Sequence, residues 1–138
     1  MKRFLLTLFI LFLTASFGLC ATTSYNKNGQ KTGSFKQSGT TLNYYNQYGQ
    51  KTGSYKKTVN GYNSYDSNGQ KTGSYKTNGN TITHYNKYGQ KVGTYKTNSN
   101  GVTTSYDKNG QKTGTFKKDS TGRITEYNKN GQKVGSYK

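Results

Sequence analysis

The sequence predicts an all-β fold: six tandem β-hairpin repeats of 20–21 residues, run as an antiparallel meander and closed into a shallow symmetric barrel or ring. Three observations carry this expectation. One twelve-residue phrase recurs six times, starting at Tyr25, Tyr45, Tyr65, Tyr85, Tyr106 and Tyr127, at intervals of 20, 20, 20, 21 and 21 residues. Repetition at a fixed period marks a repeat architecture. Turn signals built on Gly recur about every ten residues, which leaves strands of ~6 residues between them. The stretches between turns are rich in Thr, Tyr and β-branched side chains, which suit a pleated, half-buried surface. No window has helical apolar spacing, and proline is absent, so nothing interrupts a ladder.

Ahead of the first unit, Lys2 and Arg3 form a charged start, Phe4 to Phe17 is almost wholly apolar, and a small-residue boundary follows near Leu19-Cys20-Ala21. That is the layout of a secretory signal peptide, and the apolar stretch is short for a membrane span of ~20 residues. Residues 1–21 are therefore read as a signal peptide and 22–138 as the six-repeat domain. This places the protein in the periplasm, at the cell surface or outside the cell. An uncleaved N-terminal anchor and a lipidated Cys20 are the alternatives; Leu19 does not match the small residue that precedes a lipobox cysteine.

Each unit then follows one plan. Strand formers such as Thr40 to Tyr45 and Asn80 to Tyr85 lead into the phrase Tyr. In the latter, Ile82 and His84 share one face, and Thr83 and Tyr85 the other. Asn or Asp follows, and a turn closes on Gly29, Gly49, Gly69, Gly89, Gly110 or Gly131. The second strand begins at the Lys after Gln and passes a mid-strand glycine (Gly33, Gly53, Gly73, Gly93, Gly114, Gly135), two residues before an aromatic. A glycine inside a strand marks a bulge or a close approach, and the expectation is that a neighbouring Tyr ring lies over each one. Second turn signals follow at Ser38-Gly39, Asn60-Gly61, Asn78-Gly79, Asn100-Gly101 and Thr121-Gly122; Asn-Gly favours two-residue hairpin turns. The extra residue in the last two linkers, near Asn100 and Thr121, is either an added turn residue or a bulge.

The aliphatic core is thin. Leu42, Val59, Ile82, Val92, Val102, Ile124 and Val134, with Phe35 and Phe116, make nine large apolar residues in the 117 after residue 21. A Leu, Ile, Val and Phe share under ~20% with high net charge is a composition of disordered chains. All 14 Tyr fall in this region, and a buried aromatic ring removes roughly 150–250 Å² from water. The chain folds if tyrosines from successive hairpins meet in the interior. Otherwise it stays disordered. The repeat array can close, so that first and last strands pair, or stay open and self-associate through its edges.

The stretches Gly101-Val102-Thr103-Thr104-Ser105-Tyr106-Asp107-Lys108-Asn109-Gly110 and Gly122 to Gly131 resemble the YD repeat of RHS-type proteins, and the likeness covers about residues 25 to 138. Only Asp66 and Asp107 keep the acid after Tyr; the other four units have Asn, and Gln follows the glycine where that family often has Arg. In size the chain is more similar to the small bacterial β-flower proteins, which carry a few Tyr-Asp/Asn-x-x-Gly units. That resemblance implies hairpin petals around a central axis in a shallow closed barrel whose function is largely unassigned; a lipid- or membrane-linked role has been suggested for the group from shape alone. Choline-binding cell-wall repeats have a similar period but depend on Trp, which is absent here.

Catalysis needs a positioned acid, base, nucleophile or metal. After residue 21 the chain has one His (His84), no Cys and four scattered acids, Asp66, Asp107, Asp119 and Glu126. Asp66 and Asp107 are expected to accept turn N–H bonds, and His84, without a companion at ligand spacing, to be a surface residue. The reading is a non-enzymatic protein with no catalytic or metal residues and no cofactor. Without Lys2 and Arg3, nineteen basic residues face four acids, a net charge of +15. The phrase places one lysine circle at Lys31, Lys51, Lys71, Lys91, Lys112 and Lys133, and a second at Lys36, Lys56, Lys76, Lys96, Lys117 and Lys138. Five residues apart, the two would face opposite sides of a regular strand. The first circle is the candidate contact for an anionic polysaccharide, lipid headgroups or extracellular DNA, with interleaved Tyr to stack on sugars or bases. The alternative is a solvated face that keeps a Tyr-rich chain soluble. The competing function is a self-assembling structural or matrix protein.

Overall fold

The computed structural model describes residues 21–138. The leader assigned to residues 1–21 lies outside that range except for Ala21, which opens the first strand. Twelve strands follow in order: β1 (Ala21–Asn26), β2 (Lys31–Ser38), β3 (Thr41–Asn46), β4 (Lys51–Thr58), β5 (Gly61–Asp66), β6 (Lys71–Asn78), β7 (Thr81–Asn86), β8 (Lys91–Thr97), β9 (Thr103–Asp107), β10 (Lys112–Lys118), β11 (Ile124–Asn128) and β12 (Lys133–Tyr137). Each pairs antiparallel with its sequence neighbours, and β1 pairs with β12, so the meander closes into a barrel. Backbone bonds between Thr23 and Lys138, at 2.7 and 3.0 Å, help seal the seam.

The phrase turn is the same device six times. In the first unit, the Asn26 N–H donates to the Gln30 carbonyl and the Gly29 N–H to the Asn26 carbonyl. Asn26 Oδ1 accepts the N–H groups of Asn28 and Gln30, and its Nδ2 donates to Gln30 Oε1 at 2.8 Å. Gly29 stands at φ 80, the left-handed residue that ends a three-residue hairpin loop at little steric cost. The same amide pairing recurs at Asn46, Asn86 and Asn128 and gives the Gln after the glycine a partner in the four Asn units. Asp66 and Asp107 keep the acceptor half of the arrangement, as the sequence reading expected of them.

The linkers close the other end, called here the linker end; the phrase turns form the loop end. In the first three linkers the loops are 39–40, 59–60 and 79–80, fixed by the pairs Ser38↔Thr41, Thr58↔Gly61 and Asn78↔Thr81. Gly61 is therefore the first residue of β5 and not a turn residue, and Val59, 99% exposed, takes the loop tip. The longer linkers hold an added turn residue: Asn98 and Asp119 rebuild the phrase turn, each Oδ1 accepting two backbone N–H groups.

A bulge accompanies every phrase turn. Ser24 pairs with Gly33 and Tyr25 with Lys31, which leaves Thr32 as the extra residue. Thr52, Thr72, Val92, Thr113 and Val134 are its equivalents. The following glycine is required by backbone. A Cβ on Gly73 or Gly114 would lie 2.5 Å from the carbonyl oxygen of Tyr85 or Tyr127, and Gly33, Gly53 and Gly93 meet the equivalent carbonyl. Among these five glycines, the expected tyrosine ring is present only over Gly53, from Tyr44. A bulge next to a glycine kink, repeated around a sheet, is what bends strands sharply enough to close it.

The interior is aromatic, but the tyrosines that open each phrase (the phrase tyrosines) do not supply it. Each unit points one ring inward from its second strand: Phe35, Tyr55, Tyr75, Tyr95, Phe116 and Tyr137, all buried together with Leu42, Tyr44, Ile82 and Ile124. Burial of each such side chain contributes ~1.5–3 kcal/mol. A run of ring contacts links the first four units: Phe35 to Tyr44 (6.2 Å), Tyr44 to Tyr55 (5.6 Å), Tyr55 to Tyr75 (5.7 Å) and Tyr75 to His84 (4.4 Å). The phrase tyrosines lie half-buried on the outer wall, because they stand one residue out of step with the inward positions.

Candidate functional site

The bulge decides where the lysines go. With one extra residue between them, the two lysines of each phrase no longer face opposite sides. Lys31 lies beside outward-facing Tyr25, and Lys36 two residues beyond outward-facing Ser34, itself opposite Tyr45. Both circles therefore stand on the outer wall, correcting the alternation expected of a regular strand. The circle of Lys31, Lys51, Lys71, Lys91, Lys112 and Lys133 crowns the loop end. Lys27, Lys87, Lys108 and Lys129 in the turns bring that end to ten lysines, all exposed.

The second circle sits on the phrase tyrosines. Lys36, Lys56, Lys76, Lys96 and Lys117 lie over Tyr45, Tyr65, Tyr85, Tyr106 and Tyr127, at 5.1 to 5.8 Å from the ring centroids. Contacts of this kind at exposed sites are worth ~0.5–1 kcal/mol, enough to bias each ammonium without removing it from water. Tyr48 and Tyr88, 79% and 75% exposed at loop tips, replace the Asn of the other four turns.

The barrel mouth at the loop end is asymmetric. The inward residue before each phrase Tyr is Ser24, Tyr44, Ser64, His84, Ser105 or Glu126, and this position breaks the repeat. Tyr44 fills the side of the early units. Ser105, small and flanked by His84 and Glu126, leaves a cavity of about 250 Å³ bordered also by Gly93, Tyr95 and Phe116. Thr113 donates to Ser105 Oγ at 2.8 Å, and the Tyr137 hydroxyl to Glu126 Oε2 at 3.0 Å. Glu126 is only 6% exposed.

His84 is not the surface residue the sequence reading expected. It lies flat against Tyr75, with 3° between the rings, and burial lowers its pKa to about 4. Burial likewise pushes Tyr44 up to about 12, with a smaller contribution from Asp66, and raises Tyr55 and Tyr75. No group of three or more His, Cys, Asp or Glu among the described residues could hold a metal ion. His84, Ser105 and Glu126 were missed as a set. The available signal was variation at one inward position of an otherwise constant phrase.

The chain matches no protein-family model, and no curated protein matches its sequence.

Proposed function

We propose that this is an exported, non-catalytic repeat protein that binds an anionic polymer of the cell envelope or the extracellular space, such as lipopolysaccharide, teichoic acid or extracellular DNA. The observation that carries the reading is the sorting of charge. All nineteen Lys and Arg of the described residues are exposed. Of the four acids, Asp66, Asp107 and Asp119 accept turn N–H groups and Glu126 is inside. The outer wall is therefore a nearly uncompensated cationic cylinder that attracts polyanions, and its lysine-capped tyrosines offer rings for sugars or bases to stack on. A pKa of about 4 makes His84 a weak base at neutral pH, in keeping with a binding role. The likeness to the small β-flower proteins is part of the same proposal. The self-assembly alternative has less support, because each described strand has two partners and the closed barrel offers no open edge.

Binding of a DNA duplex and of heparin, titrated between 50 and 200 mM salt, tests this. With six or more phosphate contacts, DNA affinity should fall ~10³-fold or more across that range. Replacing Lys51, Lys71 and Lys91 with Gln should lower the slope of log K against log salt by about 2 to 3. Affinity that is flat in salt, or equal for uncharged dextran, overturns the proposal.

A further inference from the structure

We infer that the cavity at the barrel mouth is a binding site, separate from the polymer surface, for a small neutral aromatic compound of the phenol class. The first argument is where the repeat departs from itself. In units one, three and five the inward residue before the phrase Tyr is Ser and the bulged residue is Thr, and the two are joined. Thr32 donates to Ser24 Oγ at 3.0 Å, Thr72 to Ser64 Oγ at 2.9 Å and Thr113 to Ser105 Oγ at 2.8 Å. In unit two, Thr52 donates to the Tyr44 carbonyl at 3.3 Å. Units four and six change both positions together: His84 stands with Val92, and Glu126 with Val134. Both valines border this one cavity. The rim therefore exchanges hydroxyls for methyls where the space opens.

The second argument is what the walls accept. With Val92 and Val134 at the rim and the rings of Tyr95 and Phe116 inside, the lining is mostly apolar. His84 also borders the space; Tyr75 covers one face of its imidazole, so it meets the cavity with the other face or its edge. Burial holds that imidazole uncharged at neutral pH. Three aromatic side chains around one space suit a flat aromatic guest, packed offset or edge-on. A cavity of ~150 Å³ suffices for benzene, so about 250 Å³ admits a ring with a polar substituent. Ser105 serves that substituent: its Oγ accepts from Thr113, and its own O–H can donate to a guest oxygen. A charged guest would exchange its hydration for valine methyls and ring carbons, which is costly. A neutral guest needs no counter-charge, so the site draws on neither the lysine circles nor the Glu126 carboxyl group, whose Oε2 is engaged by Tyr137.

The experiment compares p-cresol, benzoate and benzylamine by NMR titration of the folded protein at neutral pH. The same titrations are run on the double variant Val92→Thr, Val134→Thr and on Ser105→Leu, which fills the cavity. The expected result is binding strongest for p-cresol, with a dissociation constant on the order of 1 mM for so small a ligand and shifts at Val92, Tyr95, Phe116 and Val134. Affinity should fall ~4-fold for each methyl lost from contact, so about tenfold in the double variant, and should be lost in Ser105→Leu. Threonine is the residue the other four units hold at the bulge, so the double variant keeps the fold, and its result decides if Ser105→Leu does not fold. No p-cresol binding, benzoate or benzylamine binding as tightly, shifts confined to the outer wall, or affinity unchanged in the double variant would overturn the inference. Affinity for p-cresol should also be flat between about 50 and 200 mM salt, the range over which polymer binding falls steeply. DNA or heparin binding should be untouched by these substitutions, so failure of this site and failure of the polymer reading are separable.

Discussion

Replacing Gly73 tests the device that closes the barrel. Gly73 follows the bulged Thr72 and faces inward from β6. A Cβ there would lie 2.5 Å from the Tyr85 carbonyl oxygen, 3.3 Å from Ser64 Oγ and 3.4 Å from His84 Nε2. The nearest neighbour is backbone on β7, held by the pairs Ser74↔Tyr85 and Gly73↔Asn86, so the strands themselves must separate. An overpacked methyl costs ~1–3 kcal/mol, and weakening one adjacent ladder bond adds about 1 kcal/mol. Alanine returns ~0.4–1 kcal/mol by restricting the unfolded chain. Gly73→Ala should therefore destabilise by about 1–3 kcal/mol, a fall in Tm of roughly 4–12 °C for a domain of this size, and Gly73→Val by more. The assay is thermal and urea unfolding followed by far-ultraviolet and tyrosine-band circular dichroism. Gly69 is the contrast: it stands at φ +81 with nothing within 4 Å of its Cβ position, so Gly69→Ala loses only the ~1–2 kcal/mol of a left-handed alanine and leaves the interior spectrum unchanged. A Gly73→Ala protein with the Tm of the native chain would refute the closure argument.

Acid stability should carry the signature of His84. Its folded pKa of about 4 lies below the ordinary 6.5. Above 6.5 both states are neutral there; between 6.5 and 4 the unfolded chain takes up the proton first, and stability is lost as pH falls. Partial exposure discounts the loss to about 1–2 kcal/mol. His84→Phe, which keeps the stack on Tyr75, should flatten the unfolding free energy across pH 4 to 6.5 relative to the native chain, and identical pH profiles would remove the assignment. Deleting residues 133–138 removes β12 and exposes the edges of β1 and β11. The shortened protein should self-associate in light scattering at concentrations where the full chain is monomeric, whereas a soluble monomer would mean that closure does not protect the edges.

Much of the frame was legible because it is local. The phrase turn needs an Asx acceptor, a Gly at φ near 80 and a Gln to answer the Asn amide, all within five residues, so the sequence carries it whole. The two longer linkers follow the same rule through Asn98 and Asp119. What misled was parity. A residue's side of a sheet depends on an unbroken count of two, and the bulge at Thr32 and its five equivalents resets that count in each unit. This put both lysine circles on one wall. Gly61 shows the complementary limit: only the pair Thr58↔Gly61 reveals that Val59 and Asn60 make the turn.

By itself the sequence determined a repeated hairpin, its turn chemistry, its period and its excess of positive charge, because each is set by neighbours a few residues apart. The tertiary structure decided which tyrosines became core and which stayed on the wall, why the mid-strand glycines Gly33, Gly53, Gly73, Gly93 and Gly114 must be bare, and that His84, Ser105 and Glu126 meet around one cavity. These depend on strands from different units lying side by side, a relation that only ring closure creates.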